Sequence, residues 1–356
     1  MQTALTQHAH IDVPLICGPM YPCSNVELVA AVSRAGGIGI VQPISLTYVH
    51  GHEFRNGLRK IVELAEGKPI GLNALIETSS KTYHERMVRW VDIALEEGVR
   101  FFLTSLGNPR WVVDRVHAVG GVVYHDITER KWAEKGRDGG VDGLVAVNRE
   151  AGGHTGSREA AALLHEIADL GLPVVAAGGV GHPAQARALI EMGYAGVQLG
   201  TRFIATTECN ADPAYKDAIV RAAARDIVLT ERLTGVPVSV IRTPYVERLG
   251  TTVGPLSRWL FRGRRTKHWM RTLYGLRSLW QLKRSSIDGR NQDYWQAGRS
   301  VEHIHTIASA ADIVAQFAEA LDAPSTVQAS SAVDISERAA DRTTTSATAL
   351  TGEGRA

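Results

Sequence analysis

The chain has 356 residues and a formal net charge of +2, with 44% hydrophobic and 21% charged residues. That length holds one large α/β barrel with an accessory region, and so small a net charge argues against nucleic acid as a partner. Cys17, Cys23 and Cys209 lack zinc spacing and are too few for a disulfide framework, so no metal site and a reducing, cytoplasmic setting are expected.

Residues 1–10 lack a basic region followed by an apolar core, so no signal peptide is expected, and nothing downstream reaches the roughly eighteen apolar residues of a membrane span. Short apolar runs then recur at residues 14–17, 38–41, 69–72, 100–104, 121–124, 143–147, 173–176 and 196–199. Each is short enough to be a buried strand. Helical patterns separate them at residues 26–34, 54–65, 83–96, 109–118, 128–135, 158–170 and 183–192. Gly36, Gly98, Gly120, Gly171 and Gly193 stand where these helices should end. Strict strand–helix alternation with short connections predicts parallel strands and right-handed crossovers, and so many compact units favour a closed (β/α)8 TIM barrel over an open sheet.

In such a barrel, reacting groups sit on the loops after the strands, and a phosphate sits after the seventh and eighth. The glycine turns Ala176-Ala177-Gly178-Gly179-Val180 and Gln198-Leu199-Gly200-Thr201-Arg202-Phe203 fall there. Without a Cβ, the backbone N–H groups of such turns approach an anion closely. The sixth strand leads into Asn148-Arg149-Glu150-Ala151-Gly152-Gly153-His154-Thr155-Gly156, which places His154 over the same mouth. An imidazole there exchanges a proton near neutral pH.

Beyond residue 225 the alternation stops. Residues 226–250 read as irregular structure with short strands, and residues 257–284 as a basic, aromatic helix packed on the barrel. This segment is read either as a solvated basic face over packed aromatic rings or as a docking surface for coenzyme A or a pantetheine arm. A helix over residues 310–321 ends the ordered chain, and residues 323–356 are expected to be disordered. The predicted organisation is therefore a barrel over 1–225, an accessory region over 226–322 and a tail over 323–356.

Six motifs in this order resemble the nitronate monooxygenase family, also called 2-nitropropane dioxygenase: Cys17-Gly18-Pro19-Met20, Ala35-Gly36-Gly37-Ile38-Gly39, Gly71-Leu72-Asn73, Glu150-Ala151-Gly152-Gly153-His154, and the two glycine turns. The resemblance spans residues 13–224 and returns at residues 293–298. It implies a TIM barrel holding FMN that oxidises alkyl nitronates with molecular oxygen to a carbonyl compound and nitrite. By motif, Gly179, Gln198, Leu199, Gly200 and Thr201 would hold the FMN phosphate end. Met20, Asn73 and Gly152 would line the flavin, His125 would contact the cofactor from the end of strand five, and His154 would be the base.

The departures concern the substrate: Val147-Asn148 replaces the Gln-Gly of many relatives, and Tyr21-Pro22-Cys23-Ser24-Asn25 is not their small-residue loop. The rival reading is an FMN-dependent NAD(P)H enoyl-thioester reductase, which Thr104-Ser105-Leu106-Gly107-Asn108-Pro109 resembles in its corresponding loop. An inosine monophosphate dehydrogenase-type barrel would need a cysteine on the loop after strand six, where none stands. A barrel serving only as a scaffold would bind no flavin at all.

Overall fold

The computed structural model describes residues 1–77, 80–233, 236–251, 280–287, 289 and 293–323. Eight strands close a parallel barrel: β1 (Leu15–Cys17), β2 (Ile38–Val41), β3 (Gly71–Ile76), β4 (Phe101–Leu106), β5 (Val122–Ile127), β6 (Gly143–Val147), β8 (Val174–Ala177) and β9 (Gly196–Leu199), with β9 pairing back to β1. The two-residue strand β7 (Gly153–His154) belongs to a different sheet. Several strands start one or two residues later than their apolar runs. Pro69 and Pro173 have no N–H for the ladder, so pairing begins beyond them. The strands also run on toward the mouth, to Ile76, Leu106 and Ile127.

Side chains alternate between the two faces of each strand. Ile16, Ile38, Ile40, Phe101, Leu103, Tyr124, Val145, Val175 and Ala177 fill the barrel interior. Leu15, Val41, Leu72, Phe102, Val123, Leu144, Ala176 and Val197 face the helices. These are α2 (Val26–Arg34), α3 (Phe54–Leu64), α4 (Lys81–Glu96), α5 (Arg110–His117), α6 (Arg130–Asp138), α7 (Ala160–Ile167) and α8 (Pro183–Glu191). Their starts carry local signals: Glu53 accepts the N–H groups of Arg55 and Asn56 ahead of α3, and His182 forms a capping box with Gln185 ahead of Pro183.

Two features were not anticipated. The first is α1 (Ala4–Ala9), which closes the N-terminal end of the barrel: Leu5 and Ala9 join the interior core, and His8 Nδ1 lies 3.1 Å from the Tyr124 hydroxyl. The second is the position of the last helix, Ala310–Asp322. It packs between α8 and α2, taking the eighth place in the outer ring. Ile313, Val314, Phe317 and Leu321 are buried there, and the Arg187 guanidinium holds the Ala320 and Ala323 carbonyls at 2.5 and 2.7 Å. Burying such side chains contributes about 1.5–3 kcal/mol each. The outer layer is thus completed by residues far beyond 225.

The stretch after the barrel carries the expected short strands. β10 (Ile227–Thr230) and β11 (Val238–Ile241) form an antiparallel pair, and β11 pairs in turn with β7, setting Val238 opposite His154 and Ser239 opposite Gly153. The basic segment 257–284, apart from 280–284, lies outside the described residues, as does the tail beyond Ala323. Residues 280–286 are helical. No described helix is long and apolar enough to cross a membrane.

Candidate active site

The loop after β6 and the turn after β8 are fastened together by one side chain. Asn148 donates from Nδ2 to the Gly178 carbonyl at 3.0 Å, and its Oδ1 accepts the Glu150 N–H at 2.8 Å. Gly178 and Gly179 have φ of +114° and +83°. A Cβ on Gly178 would lie 2.5 Å from Asn148 Oδ1 and 2.6 Å from the Ala151 nitrogen, so the loop and the turn fit together only around glycine. The Glu150 side chain lies beside Gly179, where a Cβ would meet its Cβ at 3.2 Å.

The turn after β9 joins the same assembly. Gly200 precedes the single-turn helix α9 (Thr201–Ile204), and the space beside its Cα opens toward the Met20 sulfur, 3.5 Å from where a Cβ would stand. The Thr201 hydroxyl accepts the Gly298 N–H at 3.0 Å, which leaves its own O–H to donate elsewhere. Among the described residues, the N–H groups of Gly179, Gly200 and Thr201 have no acceptor. Such a set of donors around Cβ-free turns is a cradle for an anion. Arg202 adds a buried positive charge next along the chain, with its Nη2 on the Thr306 carbonyl at 2.9 Å and no carboxylate partner among the described residues.

Three inward-facing strand residues add a second signal. Asn73 Oδ1 on β3, Asp126 Oδ1 on β5 and Gln198 Oε1 on β9 are buried without a hydrogen-bond partner among the described residues. Buried polar atoms are rarely left unsatisfied, and here three strands spaced around the barrel each leave one on the inward face. The donor-poor mouth and the glycine cradle together fit a flat, polar-edged ring bearing a phosphate, which is the shape of the expected flavin mononucleotide. Met20 stands at the edge of this region, its N–H held by Ser24 Oγ at 2.8 Å.

His125 is not brought to the mouth. It faces outward against Gly136 of α6, and its Nδ1 lies 2.8 Å from Thr104 Oγ1. Burial, with help from the Lys135 charge, depresses its pKa to about 4, so it is a neutral packed residue. The inward position on this strand belongs to Asp126, one residue later. The signal was present in the alternation, because β5 runs to Ile127 and Tyr124 points inward.

Burial lifts the Asp126 pKa from 3.8 to about 7. The folded chain then holds a proton that the unfolded chain has released, so stability falls as pH rises from about 4 to 7. Flavin-free Asp126→Asn should therefore exceed the parent in stability at about pH 8, by on the order of 1–3 kcal/mol after allowing for partial exposure, and match it near pH 4. Urea unfolding at the two pH values measures this; an equal or lower stability of the variant at the higher pH contradicts it.

His154 is held at the mouth from several sides. β11 pairs with it, Thr155 Oγ1 donates to the Asn148 carbonyl at 2.6 Å, and Gly152 backs directly onto Ala297 and Gly298. His154 is exposed at its surface, yet the surrounding loop desolvates the imidazole enough to lower its pKa. It is accordingly neutral at physiological pH, the form that accepts a proton. The recess of about 260 Å³ lined by His8, Val62, Lys68, Glu97 and Phe101 lies at the N-terminal end of the barrel, away from all these groups.

Comparison with known proteins bears on this geometry. A family model described as nitronate monooxygenase matches residues 2–320. The chain is 31% identical to a Mycobacterium tuberculosis protein named (3aS,4S,5R,7aS)-5-hydroxy-7a-methyl-1-oxo-octahydro-1H-indene-4-carboxyl-CoA dehydrogenase, over 70% of this chain and 68% of that one. It is 25% identical to a probable nitronate monooxygenase of Staphylococcus aureus, over 71% of this chain and 81% of that one. Among solved structures, FabK from Thermotoga maritima aligns with a TM-score of 0.72 and 26% identity, covering 90% of this chain and 96% of that one. A nitroalkane oxidase from Streptomyces ansochromogenes shares the fold, with a TM-score of 0.67 at 22% identity over 89% and 99% of the two chains.

Proposed function

From the premise that this chain belongs to the nitronate monooxygenase family, and is thus a flavin-dependent oxidoreductase acting on a small molecule, we propose that it binds FMN and oxidises alkyl nitronates with molecular oxygen to carbonyl compound and nitrite. The observation that carries this reading is a neutral imidazole fixed at the mouth beside an anion cradle. FMN, if bound here, would supply the redox chemistry between substrate and oxygen.

The remaining work falls to this chain's residues. The backbone N–H groups of Gly179, Gly200 and Thr201 would hold the phosphate, while Met20, Gly152, Asn73 and Gln198 would line the cofactor; the Leu199 side chain packs instead in the helix-facing core, and its carbonyl accepts the Gly18 N–H. Asp126 is added to that lining. His154 takes the α-proton of a neutral nitroalkane at an imidazole nitrogen, or orients a nitronate that is already ionised. Its lowered pKa has a consequence for rate: the acid limb of kcat/KM for a neutral nitroalkane should lie below about pH 6.5, the ordinary imidazole value. The three buried free thiols suit a reducing cytoplasm.

A second reading is supported by the likeness to FabK and by the coenzyme A thioester in the name of the mycobacterial relative. In it the same flavin mouth serves an NAD(P)H-dependent enoyl-thioester reductase. Product analysis separates the two. Release of nitrite and an aldehyde or ketone from a nitronate in air supports the first; steady NAD(P)H consumption with an enoyl-CoA and no nitrite from nitronates supports the second and overturns the first.

A further inference from the structure

On the outer rim, next to the loop that carries Met20, cations are stacked on aromatic rings. The Arg86 guanidinium of α4 lies 5.4 Å from the Tyr48 ring centre and 6.0 Å from that of Trp90. Lys283 donates to the Tyr48 carbonyl at 3.3 Å, which brings the 280–286 helix to the same place. One turn back on that helix, the Arg284 guanidinium lies 4.4 Å from the Trp280 ring centre. Trp280, Lys283 and Arg284 share one helix face by their spacing.

Exposure, charge and stacking together mark this patch. Tyr48 and Trp280 are 54% and 58% exposed, unusual for large rings. Arg86, Lys283 and Arg284 have no carboxylate partner among the described residues, which is also true of Arg89, Arg100, Arg110, Arg242 and Arg248; what distinguishes Arg86 and Arg284 is that their guanidinium groups lie on exposed aromatic faces. Arg284 Nε is moreover buried with no acceptor among the described residues. Unpaired guanidinium groups on aromatic faces are suited to a ligand with a flat base and several phosphates, since the cations take the phosphate oxygens while base and rings stack. The patch adjoins the mouth: the carbonyl of Pro22, two residues after Met20, lies 3.0 Å from His50 Nε2, and His50 follows the Tyr48 segment.

We propose that Tyr48, Arg86, Trp280, Lys283 and Arg284 form a binding site for the 3′-phospho-ADP end of a coenzyme A thioester whose acyl end enters the flavin mouth. The acyl-thioester part of this assignment rests on the second functional reading; the nucleotide part rests on the patch itself. A flexible pantetheine arm between the two sites is what a nucleotide patch outside the mouth requires.

The test is isothermal titration calorimetry of the full-length, flavin-loaded protein with 3′,5′-ADP, the nucleotide fragment of coenzyme A. Binding should weaken tenfold or more in Arg86→Ala and in Lys283→Ala, and should weaken with rising salt. Trp280→Ala, a change at an exposed ring, should weaken it as well, and all three variants should keep the parent's melting temperature and flavin content. With an acyl-CoA that the enzyme turns over, Arg86→Ala should raise KM and leave kcat in place. Parent-like 3′,5′-ADP binding in all three variants overturns the site even if acyl-CoA is turned over. Equal or tighter binding of 2′,5′-ADP overturns the coenzyme A assignment and points to a nicotinamide dinucleotide phosphate instead. Binding of 3′,5′-ADP lost in the variants, with no turnover of any acyl-CoA, keeps the nucleotide site and removes the thioester reading.

Discussion

His154→Ala should keep its flavin and lose about 10²–10⁴-fold in kcat/KM with a neutral nitroalkane, the range expected when a positioned acid–base group is deleted. Loss on a pre-ionised nitronate should be much smaller, because no proton has to be removed. The asymmetry follows from the site. The imidazole is neutral and partly desolvated, and its backbone is held by pairing with Val238, so it supplies a base rather than a charge. Its removal leaves the Asn148–Gly178 fastening and the glycine cradle intact, and flavin retention should not change. Steady-state rates on both substrate forms measure the effect. Equal losses on the two forms would assign His154 to binding, and no loss on either would take it out of the reaction.

Gly179→Val should abolish flavin retention. The position has φ +83°, a conformation that a β-branched residue adopts only under strain, and its Cβ would press on Glu150 at 3.2 Å. The cost of the left-handed backbone is about 1–2 kcal/mol, too little to unfold a domain of ordinary stability. Filling the space next to the phosphate donors is the larger effect. Gly200→Val separates the two contributions: its backbone is not left-handed, and its first added atom meets only the Met20 sulfur, at ordinary contact distance. This second variant should fold with a melting temperature near the parent's and still lose most of its flavin. Absorbance of the purified proteins gives the flavin content. Full occupancy of folded Gly200→Val would rule out the cradle as the phosphate site.

Much of the barrel was legible because its strands are short apolar runs set off by glycine or proline, as at Gly143–Val147 and Gly196–Leu199, which match their runs residue for residue. The two glycine turns were legible for the same reason, since nothing but glycine fits at Gly178. The eighth outer helix was not. Local periodicity marks Ala310–Asp322 as a helix but carries no information about its place between α8 and α2. Pairing of β11 with the histidine loop is likewise a long-range contact that neither sequence segment announces alone.

The substitution of Asp126 for His125 turns on a single residue of register. In a strand, a shift by one moves a side chain from the helix layer to the barrel interior. The resemblance places His125 at the end of strand five as the cofactor contact and gives no part to Asp126. Extension of β5 to Ile127 decides the matter through alternation. Asn148, which stands with Val147 in place of the Gln-Gly of many relatives, fastens two rim loops together.

Anaerobic mixing of the flavin-loaded protein with an alkyl nitronate tests the central claim most directly. The account predicts loss of the yellow absorbance within the first turnover, its return when oxygen is admitted, and no bleaching by NAD(P)H alone. Bleaching by NAD(P)H with an inert nitronate would contradict it.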